Sequence, residues 1–146
     1  MDLVLFNYAV IHLLRICRIL KMHKGNALLI GVGGSGRQSL SYLAAFLMDQ
    51  VIMQPEQSKS YGYDNWAEDM KKLLYMTGCD LKRSAFLLTD NQLKHSFMLE
   101  DVNNLINQYE IPGLFGADDK ILMNEKVRIN AKKEGNFNLY NNGTPE

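Results

Sequence analysis

The chain has 146 residues, of which 47% are hydrophobic and 22% are charged, and its 16 basic and 16 acidic side chains leave no formal net charge. This length and composition predict one soluble globular domain, or part of one, with a buried core. Because the charges balance, bulk electrostatics favour neither nucleic acid nor a membrane surface as a partner. Two cysteines, Cys17 and Cys79, are too few for a disulfide framework, and the three scattered histidines do not match metal-ligand spacings.

The opening stretch "MDLVLFNYAV" has an acid at position 2 and no basic run before its apolar residues, so we expect no secretory signal peptide. Asn7 and His12 interrupt the apolar stretch, which is therefore too short to span a bilayer. The glycosylation sequon at Asn142 is then expected to be a chance match. We expect the chain to reside in the cytosol or in a compartment continuous with it.

The first third of the chain predicts a helix, a strand and a second helix. Apolar residues recur at helical spacing over Leu3–Met22, and its basic residues cluster in the last turns, where the helix dipole favours them. "ALLIG" (27–31) is a short apolar run that ends in glycine, which is typical of a buried parallel strand. A glycine-rich loop follows, and "QSLSYLAAFLMDQ" (38–50) has the pattern of a helix.

The remaining elements continue this alternation. "VIMQ" (51–54) predicts a second strand ended by Pro55, and "SAFLLTD" (84–90) predicts a third strand that ends in an acid. Helices are predicted for "WAEDMKKLLYMTG", "LEDVNNLINQY" and "DDKILMNEKVRINAKKEG", with a turn at "IPGLFG". The order predicts an α/β three-layer sandwich with a parallel sheet. In such sheets ligands bind at the carboxyl ends of the strands, where the glycine loop and "FLLTD" would both lie.

The stretch "GVGGSGRQSL" (31–40) is close to the phosphate-loop pattern G-x-x-x-x-G-K-[ST], with Arg37 in place of the lysine and Gln38 in place of the hydroxyl residue. Glycines let successive N–H groups turn toward phosphate oxygens, and the helix that follows adds its positive N-terminal end. The candidate nucleotide-binding residues are therefore Gly31, Gly33, Gly34, Ser35, Gly36, Arg37, Gln38 and Ser39.

The two substitutions weaken the case for hydrolysis. Arg37 keeps the positive charge, but its forked guanidinium does not mimic a compact ammonium. Gln38 has an amide oxygen, which would be an unusual Mg²⁺ ligand. Ser39 has a hydroxyl, but it lies one residue after the position of the Mg²⁺-binding hydroxyl in the phosphate-loop pattern. We therefore expect binding of ATP or ADP and doubt Mg²⁺-dependent hydrolysis. The alternative is a glycine-rich turn without a ligand.

The strand that ends in "FLLTDNQ" supplies the second candidate group, Asp90. P-loop ATPases place one carboxylate at the end of such a strand near Mg²⁺, and often a second one that polarises the attacking water. Here Thr89 and Asn91 flank Asp90, so only one carboxylate is present. It can serve either the metal or the attacking water, but not both. We assign Asp90 to the Mg²⁺ side, together with Gln38, and name it as the candidate catalytic residue. The alternative is that Asp90 caps the next turn.

These motifs resemble a known family. "GNALLIGVGGSGRQSLSYLAAF" (25–46) closely resembles the phosphate-loop segment of the fourth AAA+ module of axonemal dynein heavy chains, in which the Arg-Gln-Ser variant is typical. "DLVLFNYAVIHLLRICRIL" resembles the preceding helix, "SKSYGYDNWAEDMKKLLYMTG" the stretch after the second strand, and "FLLTDNQLKHSFMLEDVNNLINQYEIPGLF" the Walker B strand with its following helix and turn. The departures are Pro55, and His95 where an acid is common.

The resemblance implies a P-loop NTPase fold of the AAA+ class. Residues 3–140 would form the large α/β subdomain, with a leading helix at 1–22 and a tail at 141–146, and we expect the module to be incomplete, without sensor strands or helical lid. The implied role is a regulatory nucleotide site in a microtubule motor. Implied partners are the other AAA+ modules of the ring, and dynein subunits and microtubules through a parent chain; nucleic acid and membrane are not expected.

The resemblance also implies a location in the cytoplasm, the cytoskeleton and the ciliary axoneme. An arginine finger would come from the adjacent module, so we expect weak or no hydrolysis by this segment alone. The alternatives are a nucleotide-free structural module or a truncated non-enzymatic remnant. A small P-loop kinase is disfavoured because no arginine-rich lid segment is present.

Overall fold

The protein was analysed as a computed structural model that describes residues 6–56, 58 and 60–133. These residues form helices and two short strands. In chain order the elements are α1 (Asn7–Lys21), α2 (Arg37–Leu47), β1 (Val51–Met53), α3 (Tyr63–Gly78), β2 (Ser84–Phe86), a 3-10 turn (Asp90–Gln92), α4 (Ser96–Gln108) and α5 (Ala117–Lys133). The start of the predicted leading helix, the end of the last helix and the tail lie outside the described residues.

The chain divides into two compact units. The first consists of Met1–Gln54 with Arg83–Asp90, and it contains α1, α2, β1 and β2. The second consists of Pro55–Lys82 with Asn91–Glu146, and it contains α3, α4 and α5. No helix formed by the described residues has the length and apolar character needed to cross a bilayer.

The core of the first unit lies between α1 and α2. Leu13, Ile16 and Cys17 recur at helical spacing on α1 and are buried, and they meet Ala44 of α2, which has no exposed surface. The Cys17 thiol lies 4.0 Å from the Ala44 carbonyl oxygen, so the two helices approach closely. Just after α2, the Gln50 side-chain amide donates a 3.0 Å hydrogen bond to the Leu20 carbonyl. These contacts fix the direction of α2.

The sheet of the first unit has two parallel strands, with Val51 opposite Ser84 and Met53 opposite Phe86. The ladder extends past β2, because the Leu87 N–H donates to the Met53 carbonyl at 2.9 Å. The mixed α/β class is therefore confirmed as helices with a small parallel sheet. The third predicted strand is shorter than its apolar run, since β2 ends at Phe86.

The predicted strand over Ala27–Gly31 is wrong for this structure. Leu28 and Ile30 are each 85% exposed, and only Leu29 packs against the α1–α2 core. Within the described residues, β1 and β2 pair only with each other, and no neighbouring strand pairs with 27–31. Apolar composition predicted burial, but a buried parallel strand also needs a hydrogen-bonded neighbour, which composition does not provide.

The core of the second unit is built on one face of α3. Trp66 and Met70 have no exposed surface and Leu73 is buried, and the three residues recur at helical spacing. The indole Nε1–H of Trp66 donates to Asp101 Oδ2 of α4 at 2.8 Å, so the buried polar atom of this large side chain is satisfied. Lys71 of α3 forms a 3.2 Å ion pair with Asp119 at the start of α5. α3 thus contacts both other helices of its unit.

Replacing Ala44 with a larger side chain tests the close approach of α1 and α2. Ala44→Leu adds volume at a position without exposed surface, and we expect the free energy of unfolding to fall by about 1–3 kcal/mol. Urea unfolding followed by circular dichroism measures this. Phe46→Leu is the matched control on the same helix, because Phe46 is 79% exposed. Equal effects of the two substitutions would contradict the described packing.

The phenol of Tyr61 makes the stability of the second unit sensitive to alkaline pH. Burial, together with a hydrogen bond to the Asp69 carboxylate, raises the pKa of Tyr61 above its ordinary value of 10.0. The folded state therefore retains this proton where the unfolded chain loses it, so the contribution is complete below pH 10.0 and is lost as the pH rises further. Tyr61→Phe should lower stability by about 1 kcal/mol at neutral pH.

The pH profile separates this hydrogen bond from general alkaline unfolding. Urea midpoints measured from pH 8 to about 11 should converge for the native chain and Tyr61→Phe, because only the native chain loses the Tyr61 contribution. Parallel profiles across that range would mean that the Tyr61 proton is not coupled to folding.

Candidate functional site

The glycine loop turns sharply in front of α2. Gly34 and Gly36 have φ angles of +76° and +78°, in the left-handed region that a residue with a Cβ enters only at a cost. The Ser35 N–H donates to the Val32 carbonyl at 3.3 Å and closes one turn of the loop. α2 begins at Arg37, immediately after the second left-handed glycine. The local sequence therefore provides the glycine loop and the helix start that the phosphate-loop pattern predicted, but without the strand before them.

The N-terminal end of α2 carries free hydrogen-bond donors. No side chain caps this end, and the first bond of the helix runs from the Leu40 N–H to the Gly36 carbonyl at 2.8 Å. The backbone N–H groups of Arg37, Gln38 and Ser39 precede that bond and have no partner in the part of the chain that the structure describes. Free N–H groups at the positive end of a helix dipole are suited to an anion.

The space above the loop is open. A Cβ placed on Gly33, Gly34 or Gly36 would meet no atom within 4 Å, so a ligand can approach these peptides closely. Gly31 differs, because a Cβ there would lie 3.2 Å from Ser35 Oγ and 3.6 Å from Arg37 Cδ. The open glycines and the free donors together fit a phosphate group held by the backbone.

Arg37 does not extend into that open space. Its Nη1 donates to the Leu29 carbonyl and its Nη2 to the Val32 carbonyl, both at 3.3 Å. The half-buried guanidinium therefore joins two carbonyl oxygens on either side of Gly31. Two of the five guanidinium N–H groups are used in this way, which leaves three for another acceptor. The predicted contact between Arg37 and a phosphate stays a prediction.

The hydroxyl groups of α2 do not restore a metal-binding position. Gln38 is exposed at the position where the phosphate-loop pattern has Ser or Thr, and the Ser41 hydroxyl is committed to the Arg37 carbonyl at 2.9 Å. Within residues 6–133, apart from the undescribed 57 and 59, no group of three His, Cys, Asp or Glu side chains could hold a metal ion. The assignment of Mg²⁺ to Gln38 and Asp90 stays a prediction.

Asp90 lies in the same compact unit as the glycine loop. It is exposed, it follows β2 by four residues, and it begins the 3-10 turn. Among the described residues, no hydrogen bond or ion pair joins Asp90 to residues 31–39. The structure thus brings Gly31 to Ser39 together at the start of α2, and it leaves Asp90 without a direct link to them.

Two sets of contacts near the site were not predicted from the sequence. The carbonyl oxygens of Leu29 and Val32 accept hydrogen bonds from Arg37. Every residue has a backbone carbonyl, so the sequence does not indicate which ones act as acceptors. The Tyr42 hydroxyl donates to the Gln54 side-chain oxygen and so ties α2 to the end of β1. The one available indication was the arginine itself, because a forked side chain after a glycine loop can reach two acceptors at once.

Comparison with known proteins identifies the family of the chain. The family model described as the P-loop containing dynein motor region D4 matches residues 1–143. Dynein axonemal heavy chain 3 of Mus musculus is 44% identical over 135 residues, which cover 92% of this chain and 3% of that protein. Dynein axonemal heavy chain 6 of Homo sapiens is 43% identical over 133 residues, which cover 91% of this chain and 3% of that protein.

The chain thus spans about 3% of the length of these relatives. The resemblance to the fourth AAA+ module of axonemal dynein heavy chains is confirmed, since the family match covers nearly all of the chain. This chain belongs to the family of the P-loop containing dynein motor region D4, and it is similar to a segment of axonemal dynein heavy chains.

Proposed function

We propose that this chain is a nucleotide-binding AAA+ module that binds ATP or ADP at Gly31–Ser39 and acts as a regulatory part of a ciliary microtubule motor. The observation that carries the proposal is the uncapped start of α2, directly behind two left-handed glycines with open space above them. Phosphate oxygens would accept hydrogen bonds from the N–H groups of Arg37, Gln38 and Ser39. The family match supports a phosphate as the anion.

Weak or no hydrolysis is the second part of the proposal. The chain lacks the loop lysine, it has Gln38 where a hydroxyl residue would face Mg²⁺, and Asp90 has no second acid beside it. Gln38 and Asp90 would hold Mg²⁺ when it is bound, and the ion would neutralise charge on the phosphates. With Asp90 on the metal, no second carboxylate follows this strand to orient an attacking water. The module would therefore hold its bound nucleotide for a long time and would hydrolyse it slowly or not at all.

The wider architecture is also a proposal. Residues 3–140 would be the large α/β subdomain of such a module, with a sheet as the middle layer of a three-layer sandwich. Leu28, Ile30 and Val32 support this, because they are exposed apolar side chains that further parts of a longer chain would cover. The proposed partners are the other AAA+ modules of the ring, and dynein subunits and microtubules through a longer chain, in the cytoplasm and the ciliary axoneme.

One observation favours a second function, that of a structural module without nucleotide. The Arg37 guanidinium donates to the carbonyls of Leu29 and Val32, so this cation already has acceptors in the absence of phosphate. Under this alternative the loop would shape the surface of the motor ring and would remain free of ligand.

Titration of the purified chain with fluorescent ADP and ATP analogues separates the two functions. We expect saturable binding with a Kd below about 1 mM, equivalent to about 4 kcal/mol. Removal of Mg²⁺ with EDTA should change the Kd little, because the backbone supplies most of the contacts. Circular dichroism confirms that the chain is folded. A folded chain that binds neither analogue at millimolar concentration would favour the structural module.

Substituting a left-handed glycine tests whether the loop shape matters for binding. Gly36→Ala places a Cβ at a φ of +78°, and we expect the unliganded chain to lose about 1–2 kcal/mol of stability or to change its loop conformation. Nucleotide affinity should fall in parallel. Gly33→Ala is the matched control for stability, because Gly33 has no positive φ and no atom near its Cβ position. An unchanged affinity in Gly36→Ala would contradict binding by this loop.

A further inference from the structure

The side chain of Arg37 closes a bridge across the entry of the glycine loop. Its two terminal nitrogens donate to the carbonyls of Leu29 and Val32, which precede and follow Gly31. The aliphatic part of the side chain passes close to Gly31, with Cδ 3.6 Å from the position that a Cβ would take. The segment before the loop and the first turn of the loop are therefore held by a residue that belongs to α2.

α2 is a firm anchor for this bridge. Ala44 and Ala45 have no exposed surface, and the core contact with α1 fixes the helix. By contrast, the segment over 27–31 has no strand partner among the described residues, so its own peptide groups do not fix its position. Besides the packing of the Leu29 side chain against the core, the bond from Arg37 Nη1 to the Leu29 carbonyl is the side-chain hydrogen bond that joins this described segment to the helix.

The bridge also changes the charge around the site. Carbonyl oxygens carry partial negative charge and would repel a phosphate, and the guanidinium covers two of them with a positive charge. The three remaining N–H groups of Arg37 stay available to an anion. A loop braced in this way presents the free N–H groups at the start of α2 without a prior rearrangement.

We propose that Arg37 is a positioning residue, which holds the glycine loop in its phosphate-receptive shape through the carbonyls of Leu29 and Val32 before a nucleotide binds. The nucleotide part of this inference rests on the proposed function, whereas the brace itself does not. The brace needs a planar fork with two separate donors, and a lysine is shorter and carries its charge at a single point. Arg37→Lys restores the residue of the phosphate-loop pattern but removes the brace.

The first test measures the loop without nucleotide. Backbone ¹⁵N order parameters of Gly33, Gly34 and Gly36 should be near 0.85 in the native chain, a value typical of rigid backbone, and should fall below about 0.6 in Arg37→Lys and Arg37→Ala. Arg18→Lys is the matched control, because Arg18 is exposed on α1. A loop that stays rigid in Arg37→Lys overturns the inference. This holds even if the loop becomes mobile in Arg37→Ala, because the two variants would then show that any cation at this position is sufficient.

A second measurement needs no substitution and remains decisive if a variant does not fold. The guanidinium protons of Arg37 should exchange with solvent at least about tenfold more slowly than those of Arg18, because Arg37 is bound to two carbonyls. Equal exchange rates of the two side chains would overturn the brace.

Nucleotide affinity distinguishes the brace from the proposed function. We expect Arg37→Lys to bind fluorescent ADP about tenfold more weakly than the native chain, equivalent to about 1.4 kcal/mol. If the native chain binds no ADP while Arg37→Lys still loosens the loop, the proposed function fails and the brace stands. If Arg37→Lys binds ADP as tightly as the native chain or tighter, the inference fails and nucleotide binding stands.

Discussion

The candidate site depends on how α2 is held, because this helix provides both the free N–H groups and the arginine that shapes the loop. Its buried face meets α1 at Ala44, and the Gln50 amide fixes the chain just beyond its end. At the other end Arg37 reaches back to the carbonyls of Leu29 and Val32. The loop between these points is short and rich in glycine, so two anchored ends determine its path.

Under the proposed function, this arrangement would separate nucleotide binding from catalysis. Backbone donors at a helix start recognise phosphate by position and do not depend on the side chains that differ from the usual pattern. Hydrolysis depends on those side chains, because it needs a metal held in place and a group that orients water. Gln38 is exposed and Asp90 has no hydrogen bond or ion pair to the loop among the described residues. The proposed module would hold a nucleotide without rapid turnover, which would suit a regulatory position in a motor ring.

Local patterns predicted much of this fold, and long-range contacts account for what they missed. The pattern of WAEDMKKLLYMTG located α3, and the glycines located the loop, because both effects act within a few residues. The exposure of Leu28 and Ile30 was not predictable, since burial of a strand depends on a distant neighbour. The acceptors of Arg37 could not be predicted either, because they are backbone atoms whose positions are defined only in the folded loop.

The most direct test of the account is a titration of the ¹⁵N-labelled chain with inorganic pyrophosphate, followed through the backbone amide resonances. Pyrophosphate lacks a base and a sugar, so it reports on phosphate recognition alone. The account predicts that the largest shifts occur at the amides of Gly36, Arg37, Gln38 and Ser39, the free donors at the start of α2 and the glycine before them. The absence of shifts at these amides, or larger shifts elsewhere in the chain, would contradict it.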